Sequence, residues 1–365
     1  MVTYDVLRRR LERFRTCFDG LGIEGFILLR REYVQNQNCL YLSGFSGSTA
    51  DLIVTKDRAI LFVDDRYTEQ AASEAPCFEI VRYERPTMPK VAQAIKELGV
   101  TKIGYEAAWI TVRDLSELQS NLGKEVQLIQ TFNVIEQLRA RKDPEELVLL
   151  KEAGRITCQA YDHILKMLKP GVTELELAIE LEHYMRTLGA SGVAFETILV
   201  SGARTSWQHG RPSARAIQNG EFVLLDFGAV YQHYCSDMTR TVCLGQPDTK
   251  QKQIYEIVRQ AQEWALENLR AGVNARDVVR GVSTILEDAG YGPCHGIGHG
   301  VGLEVHEQPY LRDSEDLWLE EGHVVTVEPG IYIPGWGGVR IEDTVVIRKD
   351  GCESLTPALK NLLTL

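Results

Sequence analysis

Two stretches of this chain carry the same punctuation 101 residues apart. Lys169-Pro170-Gly171-Val172-Thr173 opens a helical pattern that closes near Leu188-Gly189, and Arg270-Ala271-Gly272-Val273-Asn274 opens another that closes at Ala289-Gly290. Gly171 to Gly272 and Gly189 to Gly290 share that one offset of 101. Thr173 with Glu176 forms a capping-box pattern, and Asn274 is the matching N-cap. A longer helical pattern precedes each, at about 144–168 and 249–269, and strand-rich sequence follows each. A duplicated helix–helix–strands unit predicts a domain of pseudo-twofold symmetry.

The strand-rich parts hold charge that needs a reason. Asp226 and Asp237 lie in FVLLDFGAVYQHYCSDMTRTV, which reads as two β-runs around a turn. A turn centred between Tyr231 and Gln232 sets the two aspartates directly opposite each other. Glu328 and Glu342 lie in TVEPGIYIPGWGGVRIEDTVVI, where a loop centred on Gly335 faces them likewise. Opposed side chains have Cβ atoms about 4.5–5.5 Å apart, and like charges there destabilise. The two hairpins come one from each half, so their acids can meet at the pseudo-axis. At separations of about 5 Å and an effective dielectric of ~20, each of the six pairs repels by roughly 3 kcal/mol. The upper bound, about 20 kcal/mol, exceeds the ~5–15 kcal/mol stability of an ordinary domain. Bound divalent cations relieve such crowding. Carboxylates with one imidazole, here His299, suit Mn, Co, Fe or Zn. Four acids offer more ligand atoms than one small ion needs, so two ions are expected. One Asp in a hairpin is ordinarily a turn or edge residue; five ligand-type residues in fitting contexts are not.

The net charge of −11 argues against a nucleic-acid groove or an anionic membrane surface as partner. Eight cysteines are scattered without a CxxC pair, which fits a reducing compartment. The opening MVTYDVLRRRLERF has no apolar run like a signal peptide, and no segment is long enough to span a bilayer. A cytoplasmic protein is expected.

Residues 1–131 alternate short apolar runs with amphipathic segments. Strands are expected at 25–29, 51–55, 59–63, 78–83 and 102–106, and helices at roughly 3–20, 66–74, 88–98 and 112–122. That pattern predicts an α/β domain with a mixed sheet. The Gly44-Phe45-Ser46-Gly47 turn lacks the spacing of a phosphate loop. Arg139 to Pro144 reads as a polar connector, with Asp143-Pro144 starting a helix. Arg66 and Tyr67 read as a strand-to-helix turn, His323 as packed or capping, and Glu315-Asp316 with Glu320-Glu321 as a solvated face.

The segments LLDFGAVYQHYCSDMTRT, HGIGHGVGLEVHE, TVEPGIYIPG and GGVRIED, with SWQHG upstream, resemble the metal-dependent proline peptidases of the pita-bread fold. Aminopeptidase P and prolidase are the nearer likenesses, methionine aminopeptidase a more distant one. The likeness spans the chain and is most specific from 195 onward. YLSGFSGS and VDDRYTEQA resemble the N-terminal domain of creatinase and the proline peptidases, which methionine aminopeptidases lack. The resemblance implies an α+β chain: a creatinase-like α/β domain over 1–131 and a catalytic pita-bread domain over 132–365. It implies that Asp226 binds one metal, that Asp237 and Glu342 bridge both, and that His299 and Glu328 complete the second. Manganese is the first expectation, with Co, Zn or Fe as alternatives. Glu328 is the candidate to take the attacking water's proton and pass it to the leaving nitrogen. His306 is expected to donate to the developing oxyanion and His209 to act near the leaving group, with His295 a further outer-site histidine. Arg340, beside Glu342, is expected to orient rather than react. Gln208 departs from the Pro that the family often has before His-Gly, and His323 stands at a position usually apolar.

The expected substrate is a small peptide with proline second, and a homodimer is implied by resemblance. Aminopeptidase action is the leading reading, with an Xaa-Pro dipeptidase as the alternative. A creatinase-like amidinohydrolase works without metals, and a non-catalytic peptide-binding module of this fold has lost the ligands. The full ligand set weighs against both.

Overall fold

The computed structural model describes residues 3–34, 36–84 and 87–365. Met1 and Val2, which open the segment read above for a signal peptide, lie outside the described residues. The chain divides into two compact units, one ending at Arg139 and one running from Ala140 to Leu365.

In the first unit the strand Gly25–Arg30 is central. It pairs antiparallel with Ala50–Thr55 and parallel with Lys102–Glu106. Ala59–Val63, Glu79–Arg82 and Gln127–Thr131 complete a six-stranded mixed sheet. The strand GFILLR is apolar on both faces because both are covered. Phe26 meets Phe14 of the Tyr4–Leu21 helix edge-on at 5.0 Å, while Ile27 packs with Val91 and Leu118 of the helices Met88–Glu97 and Val112–Leu122. Alternate residues of a strand point to opposite faces, and here each face has its own helix layer. The expected strands and helices are present. The strand Gln127–Thr131 and the helices Asn38–Ser43 and Val134–Ala140 were not expected. The first, QLIQT, does not alternate between polar and apolar residues, and the other two are too short to show a period.

The second unit is built twice. Pro144–Leu165 and Glu174–Thr187 form one helix pair, and Thr249–Asn268 and Ala275–Asp288 the other. Glu174–Thr187 and Ala275–Asp288 are both 14 residues long. Thr173 and Glu176 form a reciprocal capping box, and Asn274 caps the Arg276 N–H. Gly189 and Gly290, at φ of 103° and 87°, let the chain leave each helix in the left-handed region that side chains disfavour. Even the tethers repeat: Gly171 N–H donates to Ile217 O, and Gly272 N–H to Leu319 O. Each half has its own core. Leu177, Leu181 and Met185 pack on Leu225 and Val242 in one, and Val278, Val282 and Leu286 on Val325 and Val345 in the other. The halves meet where Glu342 N–H donates to Thr239 O at 3.1 Å and Thr344 Oγ1 to Asp237 O at 2.7 Å.

The polar connector 139–144 is exposed at Arg141 and Pro144 but buried at Arg139 and Lys142. Arg139 is buried and donates to Asn38 Oδ1 at 2.7 Å within the first unit. Lys142 is buried in the second, with Nζ 2.9 Å from Glu307 Oε1. Both charges are tolerated because each has a buried partner distant in sequence. Asp143 caps the Pro144–Leu165 helix as expected.

Candidate metal centre and its cleft

Asp226 lies in the strand Glu221–Phe227, which is flanked by Ile198–Ser201 and Met238–Leu244. Its ladder partner is Thr239, not Asp237. The turn is centred between Gln232 and His233, at φ of 44° and 74°, because Tyr231 pairs with Tyr234. That two-residue hairpin turn usually takes Asn or Gly, and neither is present to mark it. Asp237 therefore stands two residues before the position opposite Asp226, just outside the strand. The second hairpin keeps its expected register. Thr326 faces Thr344 and Ile331 faces Val339, with Gly335 at the turn. Glu328 and Glu342 occupy the break between those two ladders.

His299 reaches the acids through a close backbone crossing. A Cβ on Gly298 would lie 2.1 Å from Thr326 O, so the HGIGHG strand passes against Val324–Val327 only with glycine there. His299 Nε2 then lies 3.6 Å from Asp237 Oδ2 and 3.3 Å from Glu328 Oε1. One ligand-type atom each from Asp237, His299 and Glu342 falls within 4.8 Å of the others. Asp226 is held by Arg340 Nη2, and Arg340 Nη1 also donates to Tyr332 Oη at 2.7 Å.

The electrostatics are those of crowded, dry acids. Burial, then Glu342, Asp226 and Glu328, push Asp237 well above the usual carboxylate range. Burial, then Glu328 and Asp226, do the same to Glu342. Burial raises Asp226 as well, against the pull of Arg340. Burial also works on Glu328, but His299, Arg340 and Thr326 outweigh it and hold this carboxylate below its ordinary value. Asp226 Oδ1, Asp237 Oδ1 and Glu342 Oε1 are buried without any hydrogen-bond partner. An unpaired buried carboxylate oxygen is costly, and three in one cleft fit a divalent cation, whose hard charge such oxygens prefer.

These residues line a cleft of about 920 Å³ that also holds His209, His295 and His306. The His306 ring meets that of His299 edge-on at 4.2 Å. Loss of hydration, then the His299 imidazole, push His306 down to about 4. His209 is an exposed residue of the cleft wall. His295 is exposed too, with Nδ1 3.1 Å from Asp313 Oδ2. The cleft thus gathers every expected site residue, but only His306 of the three outer histidines touches the ligand set. Tyr332, Thr239 and Thr326 were not expected; each is a single hydroxyl in strand sequence, with nothing local to mark it.

Residues 148–349 match metallopeptidase family M24, and residues 10–141 match the creatinase/prolidase N-terminal domain. The chain belongs to metallopeptidase family M24. The peptidase is 36% identical over 360 residues to an Xaa-Pro dipeptidase of Pyrococcus furiosus, covering 98% of this chain and all of that one. A solved Xaa-Pro dipeptidase from Bacillus anthracis superposes with a TM-score of 0.93 at 40% identity, over 98% of this chain and 100% of that one. An X-Pro aminopeptidase from Thermotoga maritima gives 0.89 at 34% identity, over 96% and 100%. The two-domain architecture of a creatinase-type N-terminal domain and a pita-bread catalytic domain is therefore that of the prolidases. Among the described residues of the peptidase, no helix is long and apolar enough to cross a membrane. His323 is buried, and its Nδ1 accepts from Glu320 N–H at 3.2 Å, a local cap as expected.

Proposed function

We propose that this peptidase is an Xaa-Pro dipeptidase that works with two divalent ions, manganese first, held by Asp226, Asp237, His299, Glu328 and Glu342. The observation that carries the metal reading is the set of three partnerless carboxylate oxygens at the seam between the halves. Relatives similar along their whole length and named Xaa-Pro dipeptidases support the substrate, and they favour it over the aminopeptidase action that leads from sequence. The aminopeptidase reading stays as a second one because of the Thermotoga maritima structure.

A bond to proline is a tertiary amide, so its nitrogen must gain a proton before it leaves. Divalent ions supply an activated water and polarise the scissile carbonyl. Glu328 is held below its ordinary value and reaches the cleft, so it takes the water's proton and delivers it to the proline nitrogen. His306 donates toward the oxygen that becomes negative, and His209 acts on the leaving-group side. His295, tied to Asp313, contributes to the outer cleft wall. Arg340 holds Asp226 in place and takes no part in bond changes. The protein acts in the cytoplasm as a homodimer.

The deciding experiment is a panel of Xaa-Pro dipeptides and Xaa-Pro-Yaa tripeptides assayed with defined Mn or Co. Cleavage of dipeptides alone is expected; efficient cleavage of tripeptides would return the aminopeptidase reading. Activity that survives chelation would discard the metal assignment.

A further inference from the structure

We propose that Thr239 and Thr326, one from each half, are positioning residues that fix which oxygen of Glu342 and of Glu328 is presented to the divalent ions. This rests on the metal reading above. Both threonines are fully buried, in the strands MTRTVCL and VVTV, where an unbonded hydroxyl would be a cost that Val avoids. Neither hydroxyl is unbonded. Thr239 Oγ1 accepts from Arg340 Nε at 3.0 Å and donates to Glu342 Oε2 at 2.7 Å. Thr326 Oγ1 accepts from His299 N–H at 3.0 Å and donates to Glu328 Oε1 at 3.1 Å.

A threonine hydroxyl has one proton, so an incoming N–H forces that proton outward, here onto the carboxylate. The glutamate is thereby locked by one oxygen. For Glu342 the other, Oε1, is the oxygen left without a partner. Buried hydroxyls nearby behave differently: Thr344 and Thr241 donate to the backbone carbonyls of Asp237 and Arg340. The two positioning threonines also differ in reach. Arg340 connects Thr239 to Asp226, so Thr239 governs two ligands on opposite sides of the seam. Thr326 governs His299 and Glu328.

The test is metal binding to chelator-stripped full-length protein carrying Val, Ser or Ala at each position. Mn²⁺ affinity is read by calorimetry and ligand geometry by the Co²⁺ absorption spectrum. Thr239→Val, Thr239→Ala, Thr326→Val and Thr326→Ala are expected to weaken Mn²⁺ binding about 10–100-fold and to shift the Co²⁺ bands, with far-UV dichroism unchanged. Thr239→Ser and Thr326→Ser keep the hydroxyl and should bind as the parent does. Parental affinity and spectrum in the Val and Ala variants would overturn the proposal, as would Ser variants as weak as Ala. Should Val not fold, Ser against Ala decides. Failure of both Val and Ala to fold would make the role structural and also overturn it. A parent protein that binds neither Mn²⁺ nor Co²⁺ would instead sink the metal reading itself.

Discussion

Glu342 and Asp343 are neighbours, both buried, and they live in opposite worlds. Asp343 is saturated. Its Oδ1 takes Arg240 at 2.6 Å, and its Oδ2 takes Lys360 at 2.6 Å and Gln262 at 3.1 Å. Arg240 spends its other N–H groups on the carbonyls of Leu359, Thr356, Ala358, Thr239 and Glu342. Burial works against the Asp343 carboxylate, but Arg240 and Lys360 outweigh it and hold it below its ordinary value. The Glu342 carboxylate has one bond, from the Thr239 hydroxyl, and one oxygen with nothing. Burial is the same on both sides of the chain, so burial does not mark the functional acid. What marks it is its company: Glu342, Asp237 and Asp226 line one cleft, and each keeps a buried oxygen that the protein's own donors leave unfinished.

The contrast is broken most severely by removing a member of the unfinished side. Asp237→Ala is expected to abolish turnover and strip metal, while leaving the metal-free protein as stable as before or more so, because a buried repulsion is gone. Turnover at the parental rate would discard the site; unfolding of the metal-free variant would refute the claim that these acids oppose folding. On the finished side the signs reverse. Arg240→Met leaves a buried carboxylate short of its main partner and should cost roughly 3–5 kcal/mol in denaturant unfolding. If that variant instead unfolds like the parent, the Asp343 network is not a stability element.

Histidine 306 sharpens the comparison from the cleft side. It touches the proposed ligand His299 without belonging to the proposed set, so His306→Ala should keep bound metal and fold while lowering kcat by about 10²–10³-fold, the usual worth of one oxyanion donor. Metal analysis beside the kinetics checks this. Loss of metal in the variant would move His306 into the ligand set.

How far the sequence reveals this depends on whether a feature is local. The duplication is legible because caps and helix-ending glycines are local signals, and Gly171, Gly272, Thr173 and Asn274 all act as their positions imply. The register of the second hairpin is legible because Gly335, at φ of 77°, stands at its turn. The first is misread by two residues because Gln232 and His233 take the left-handed region without a glycine to announce it. Asp226 and Asp237 nevertheless remain on the same side of the hairpin, since a shift of two preserves the face. The pairing of Lys142 with Glu307, the Thr239 hydroxyl bond to Glu342 and the His299 N–H bond to Thr326 join residues far apart in the chain. No window of sequence contains both partners.

The smallest expected effect tests the same contrast through pH. Asp237 and Glu342, raised in the metal-free fold, bind more protons folded than unfolded. Stability from them is present at acid pH and is lost as pH climbs from the ordinary carboxylate range through the raised values. Asp343, held low, works the other way: its contribution is complete above the ordinary range and is lost only as pH falls through its lowered value. Between pH 5 and 8 Asp237 and Glu342 therefore cost the metal-free protein stability as pH rises, Asp343 contributes no slope, and His306 and His323, both held down to about 4 by burial, work in the opposite direction. Divalent metal replaces the missing protons, so the gain in Tm on adding Mn²⁺ should be larger at pH 8 than at pH 5. Each 1 kcal/mol reads as about 2–4 °C in a domain of this size. Calorimetric melts of the metal-free and Mn²⁺-loaded protein at both values measure it. A metal-induced gain that is equal or smaller at pH 8 would mean that the acids at the seam are not the groups the cation relieves.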